Sequence, residues 1–98
     1  MMAKAYWITS YLEIYDIRNV EAYAKLAGPA VESFGGQYLA RGSAAAVYEA
    51  GIKERTVLSV FPSLDAAVSA YNSAAYGKAL AALGGGAKRE IRIIEAVE

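Results

Sequence analysis

FGGQYLARG, residues 34–42, is the stretch where a helix must stop and a strand must begin, and it carries one arginine among apolar neighbours. Gly35 and Gly36 read as the helix stop, one of them in the left-handed position that glycine adopts without a Cβ penalty. Gln37 onward reads as a strand that extends to Tyr48, weakened in its middle by Gly42 and an alanine run. Strict alternation places Arg41 on the face of Leu39, opposite Tyr38 and Ala40.

Upstream, residues 5–15 (AYWITSYLEIY) alternate with a period of two and are rich in aromatic and β-branched residues, which predicts a strand. Asn19 is the expected cap of the following helix. Val20, Tyr23, Ala24, Ala27, Ala30, Val31 and Phe34 recur at helical spacing along one stripe. Gly28-Pro29 is expected to break or kink that helix, because an interior proline loses the bond to the carbonyl four residues back.

Downstream, Glu49 to Glu54 reads as a hairpin loop and RTVLSVF, residues 55–61, as a third strand that is apolar on both faces. Ser63 caps a short helix packing through Leu64, Ala67, Val68 and Tyr71, and Ser73 starts a second helical piece with Tyr76, Ala79, Leu80 and Leu83 on one stripe. The run Gly84-Gly85-Gly86 ends it, and REIRIIEAV, residues 89–97, is the last strand. The order is β-α-β-β-α-β, the split arrangement of the ferredoxin-like α+β class, with a four-stranded antiparallel sheet covered by helices on one face. The chain, 1–98, is a single domain. Trp7 and Ile8, Val57 and Leu58, and Ile93 and Ile94 make both faces of that sheet apolar. The uncovered face is therefore expected to pack on a second copy, giving a homodimer through its sheet faces.

Composition excludes much. Ten acidic and ten basic residues cancel, without a basic stripe for nucleic acid or an anionic membrane. Cysteine and histidine are both absent, which removes thiolate nucleophiles, triads and the commonest metal ligands. No metal site and no cofactor is expected. MMAKAYWITSYLEIY is too polar for a signal peptide and no apolar run reaches membrane-spanning length, so the expected location is the cytoplasm.

What remains is a binding chemistry. A guanidinium in a buried strand needs a carboxylate or a ligand oxygen to offset its desolvation, and Arg41 either anchors a ligand, pairs with Glu13, Glu49 or Glu95, or reaches water. Tyrosine is abundant, 8 in 98 residues. Tyr23, Tyr71 and Tyr76 are placed to line a cleft between helices and sheet, or simply to fill a core. With Arg41 as anchor and Trp7 as an apolar wall, such a cleft suits a small anionic or aromatic ligand.

Ala5-Tyr6-Trp7-Ile8, Tyr23, Phe34-Gly35-Gly36, Leu39-Ala40-Arg41-Gly42, Phe61-Pro62-Ser63, and Tyr71-Asn72-Ser73 with Tyr76 resemble the pattern of the DUF1330 family along nearly the whole chain. The resemblance implies a ferredoxin-like protomer in a dimeric α/β barrel and no assigned activity. A looser resemblance to other dimeric α/β barrels implies cofactor-independent oxygenation or isomerisation. The alternative is a non-catalytic dimeric module whose cleft is filled by its own side chains.

Overall fold

A computed structural model describes residues 3–97. β1 (Ala5–Ile14) is followed by α1 (Ile17–Glu32), β2 (Gln37–Ser43), β3 (Arg55–Phe61), α2 (Leu64–Tyr71), α3 (Ala74–Leu83) and β4 (Ala87–Glu95). The strands form one antiparallel sheet in the order β2-β3-β1-β4, the ferredoxin-like order. The second helical region is two helices, as its two serine caps imply: Asn72 and Ser73 interrupt it, and Ser73 recaps the chain by accepting from the Tyr76 amide.

Along β1 the residues Ala5, Trp7, Thr9 and Tyr11 are buried under the helices, while Tyr6, Ile8, Ser10 and Leu12 are partly exposed on the other face. α1 lays Val20, Ala27, Ala30 and Val31 on the covered face. Its cap is Asp16, whose backbone is extended and whose carboxylate accepts from the Arg18 amide at 3.0 Å. The expected cap, Asn19, lies inside the helix and donates instead to the Leu83 carbonyl at 3.2 Å, tying α1 to the end of α3. Nor does Gly28-Pro29 end the helix, which runs on to Glu32. Pro29 and Lys25 are both exposed, so the carbonyl that loses its donor stays within reach of water.

The glycines of the opening stretch have distinct duties. Gly35 takes a positive φ of 82°. Gly36 donates to the Val31 carbonyl at 3.0 Å and sits so close to the core that a Cβ there would lie 2.5 Å from Val31 Cγ1 and 2.7 Å from Phe61 Cε2.

Two bulges decide which side chains meet. In β2, Tyr38 pairs with Ser59 and Ala40 with Leu58, so Leu39 is the extra residue. Arg41 then pairs with Val57 and shares the helix-covered side with Tyr38, contrary to simple alternation. In β1, Tyr11 pairs with Arg89 and Glu13 with Lys88, which carries Ile14 onto the covered side beside Val20 and Leu83. β2 stops at Ser43, well short of Tyr48, because Gly42 and the alanines after it supply little side chain to pack. Residues 44–54 form a loop with Val47, Tyr48 and Ile52 exposed.

Trp7 and Phe61 stack at 5.7 Å between centroids, and Trp7 meets Tyr76 edge-on at 5.1 Å, at the centre of the core. Among the described residues no helix is long and apolar enough to cross a membrane.

Candidate functional site

The split arrangement leaves a space where α1 lies over the middle of the sheet and α3 flanks it. Trp7, Thr9 and Tyr11 of β1, Val57 and Ser59 of β3, and Tyr23 and Val31 of α1 line a cleft there. Its interior is about 30 Å³, and with the open mouth the unfilled space is about 470 Å³. The interior holds one or two waters, and anything larger must displace side chains at the mouth.

The cleft's polar lining is one-sided. Arg41, Arg55 and Arg89 all contribute, with tyrosine, serine and threonine hydroxyls, and no carboxylate does. The ion pairs among the described residues are Arg18–Asp16 and Arg92–Glu90, both on the surface, so none of the three cleft arginines is neutralised by an acid.

Arg89 is the unusual member. It stands on β4 opposite Tyr11 and its side chain runs beneath α1. Its guanidinium carbon lies 4.3 Å from the Tyr23 ring centroid and 5.6 Å from that of Tyr11. Nη2 donates to the Tyr76 hydroxyl at 3.2 Å, whereas Nη1 is sealed from solvent with no hydrogen-bond partner among the described residues. Burial by itself disfavours the charged guanidinium, but the neighbouring Tyr23 and Tyr76 phenols more than offset it, so its pKa is raised. The result is a permanent cation held by π faces and one phenol. Each desolvated cation–π contact returns about 2 kcal/mol against a burial penalty of several kcal/mol per ion.

Tyr23 and Tyr76 complete the cluster with hydroxyl oxygens 2.6 Å apart. A guanidinium has only donors, so the Tyr76 oxygen accepts from Arg89. Tyr76 is wholly buried, and the partner within reach of its own proton is the Tyr23 oxygen. The opposite arrangement would strand that proton in the core at about 1–3 kcal/mol. The chain therefore runs Arg89 to Tyr76 to Tyr23, and Tyr23 keeps its own proton for a third party. Burial, with the Tyr23 phenol reinforcing it, raises the Tyr76 pKa well above the ordinary phenol value. Tyr38, half-buried at the mouth, is pushed up to about 12, chiefly by burial.

The residues singled out in the sequence divide three ways. Trp7, Tyr23 and Arg41 line the cleft. Tyr76 lies behind it, its ring filling the core and its hydroxyl reaching Tyr23. Tyr71 faces a separate, wider groove between α3 and β4 with Leu80, Leu83, Ile91 and Ile93. Arg41 is exposed with its guanidinium 5.1 Å from the Tyr38 ring centroid, and among the described residues it has no ion pair with Glu13, Glu49 or Glu95. Sequence reasoning missed Arg89, Arg55, Tyr38 and Tyr11. The signal for Arg89 was present: in KREIRIIE the arginine falls on the same alternation as Ile91 and Ile93, the apolar set.

A family model described as a domain of unknown function, DUF1330, matches residues 4–97. Among solved structures, a protein of unknown function from Rhodopseudomonas palustris superposes with a TM-score of 0.77 at 13% identity, covering 100% of this chain and 85% of that one. A dimeric ferredoxin-like protein of unknown function from Jannaschia sp. CCS1 gives 0.72 at 17% identity, covering 95% and 99%. SnoaB, a cofactor-independent oxygenase from Streptomyces nogalater, gives 0.67 at 12% identity, covering 98% and 95%. At these identities the likeness is one of fold. No curated protein matches the sequence.

Proposed function

The chain belongs to the DUF1330 family, and we propose that it is a homodimeric protein that binds a small anionic or carbonyl-bearing organic molecule between α1 and the sheet. The observation that carries this reading is Arg89, a partly buried arginine with no carboxylate partner among the described residues and one sealed nitrogen unpaired among them. A charge placed so is costly for folding and useful for holding a ligand oxygen. Arg89 anchors, Tyr23 donates a hydrogen bond, Trp7 and Tyr11 wall the ring or chain of the ligand, and Arg41 and Arg55 draw anions to the mouth. Tyr71 and Tyr76 support the arrangement from outside the cleft. On the uncovered face Tyr6, Ile8, Leu58 and Val60 form an apolar patch, although β4 brings Glu90 and Arg92 beside it, contrary to the expected wholly apolar face. That patch and the dimeric ferredoxin-like proteins of similar fold support assembly through the sheets, as a dimeric α/β barrel.

Negative charge developing on a bound oxygen would be stabilised by the same cation, the requirement for cofactor-independent oxygenation or isomerisation of an activated carbonyl compound. The fold of SnoaB supports that class by analogy alone. A second reading has its own observation: an interior of about 30 Å³ suits a non-catalytic dimeric module that fills its cleft with its own side chains.

Arg89→Met separates the two. If Arg89 serves binding, replacing the buried cation by an apolar side chain leaves the melting midpoint unchanged or raises it. The same substitution abolishes any small-molecule adduct seen on the wild-type dimer by native mass spectrometry. If Arg89 is structural, the variant melts several degrees lower and the wild-type protein carries no adduct.

A further inference from the structure

We infer that the ligand head group is a carboxylate, held with one oxygen on the Tyr23 hydroxyl and the other on Arg89 Nη1. The inference rests on the binding role proposed above for the cleft and adds to it the identity of the anion.

The direction of the hydrogen-bond chain carries the argument. Arg89 donates to Tyr76 at 3.2 Å and Tyr76 donates to Tyr23 at 2.6 Å, so the proton of Tyr23 is free for an acceptor in the cleft that Tyr23 lines. Arg89 Nη1 is a second donor with nothing among the described residues to receive it. Two hydroxyls deeper in the cleft spend an oxygen or a proton on Trp7. Thr9 accepts from the Trp7 indole at 3.0 Å, and Ser59 donates to the Trp7 carbonyl at 3.3 Å. Two unspent donors thus belong to one cluster at a cleft with no acid in its lining, and Nη1, sealed as the protein stands, is reached when a ligand displaces the side chains packed over it.

A carboxylate answers that pattern. It is acceptor-only, planar, and offers two oxygens to two donors. A phosphate is tetrahedral, and the two donors would leave its remaining oxygens to be satisfied in an interior of about 30 Å³. Apart from Arg41, Arg55, Thr9 and Ser59 the rest of the wall is aromatic and aliphatic, so the carboxylate is carried on a flat apolar body such as an aromatic ring.

Trp7 is the sole tryptophan and lines the cleft, so its fluorescence reports occupancy. The test titrates benzoate, its neutral isostere benzamide, and inorganic phosphate into wild-type protein, Tyr23→Phe and Arg89→Met. Expected are a saturable response to benzoate, none to benzamide at equal concentration, and benzoate binding weakened roughly ten- to a hundred-fold in Tyr23→Phe, as for loss of a hydrogen bond to a charged group. If Tyr23→Phe does not fold, Tyr76→Phe replaces it and is expected to lower the preference for benzoate over benzamide several-fold. Benzoate affinity in Tyr23→Phe within twofold of wild type overturns the inference, while its loss in Arg89→Met alone leaves the cleft reading standing. Phosphate binding as tightly as benzoate in an Arg89-dependent manner also overturns the carboxylate and spares the cleft. Undiminished benzoate binding in Arg89→Met sinks both. If the wild-type protein does not respond to benzoate, the carboxylate is wrong, and the native-mass adduct decides the cleft.

Discussion

The hydroxyl of Tyr23 on α1 lies 2.6 Å from that of Tyr76 on α3, and the Tyr76 oxygen also receives a donor from Arg89 on β4 at 3.2 Å. α1 and the consecutive elements α3 and β4 thus converge on one buried phenol. Tyr76→Phe removes both bonds, strands Arg89 Nη2 beside the already unpaired Nη1, and leaves the packing of the ring intact. The expected cost is about 1–3 kcal/mol, read as a lower urea midpoint at unchanged slope. An unchanged midpoint would mean that the cluster adds nothing to stability.

The same cluster predicts how stability falls in alkali. Burial raises the phenols of Tyr11, Tyr38 and Tyr76 above the ordinary value of 10.0, Tyr38 to about 12. A group whose pKa is higher folded than unfolded favours the native state while it is protonated in both. That stability is intact below about pH 10 and drains away as pH rises toward 12. Melting midpoints measured from neutral pH into alkali should hold level and then drop above pH 10, together with a cooperative rise in phenolate absorbance. Tyr38→Phe should shallow the drop. Gradual ionisation of all tyrosines at the ordinary value, with no linked loss of fold, would contradict the burial.

Most of the fold was legible because it rests on periodicity. The alternation in residues 5–15, the stripe from Val20 to Val31, and the serines at 63 and 73 each appear where the elements form. The site was less legible because it depends on two bulges. An extra residue at Leu39 turns Arg41 onto the side of Tyr38, and no single-sequence pattern announces such a residue. Arg89 was readable in principle, as a charge on an apolar alternation, yet that it lacks an acid partner among the described residues is a fact of three dimensions. The helix cap went to Asp16 rather than Asn19 because both are good capping residues and only the backbone conformation decides between them.

Two glycines should respond to alanine with opposite sign. Gly36→Ala pushes a methyl to 2.5 Å from Val31 and 2.7 Å from Phe61, a core overlap that costs about 1–3 kcal/mol. Gly77 lies within α3 with open space around its Cα, so Gly77→Ala is expected to stabilise by about 0.5–1 kcal/mol. Chemical denaturation of the two variants side by side checks both. A neutral Gly36→Ala would show that β2 can move away from the core at its first residue.

The uncovered face supplies the last prediction. Ile8 pairs with Leu58 in adjacent strands, Tyr6 with Val60 beside them, and Ile94 stands 59% exposed on the neighbouring strand. If this surface packs on a second copy, a carboxylate at its centre must be desolvated against the partner, and Leu58→Glu should convert the dimer to monomer. The helices lie on the other side of the sheet, so the variant keeps its far-ultraviolet circular dichroism and Tyr23 keeps its bond to Tyr76. Sedimentation velocity of wild-type and variant protein distinguishes the cases. A wild-type monomer would overturn the homodimer, and a dimer indifferent to Leu58→Glu would place assembly elsewhere, with the groove between α3 and β4 the next apolar surface to test by the same substitution logic at Ile93.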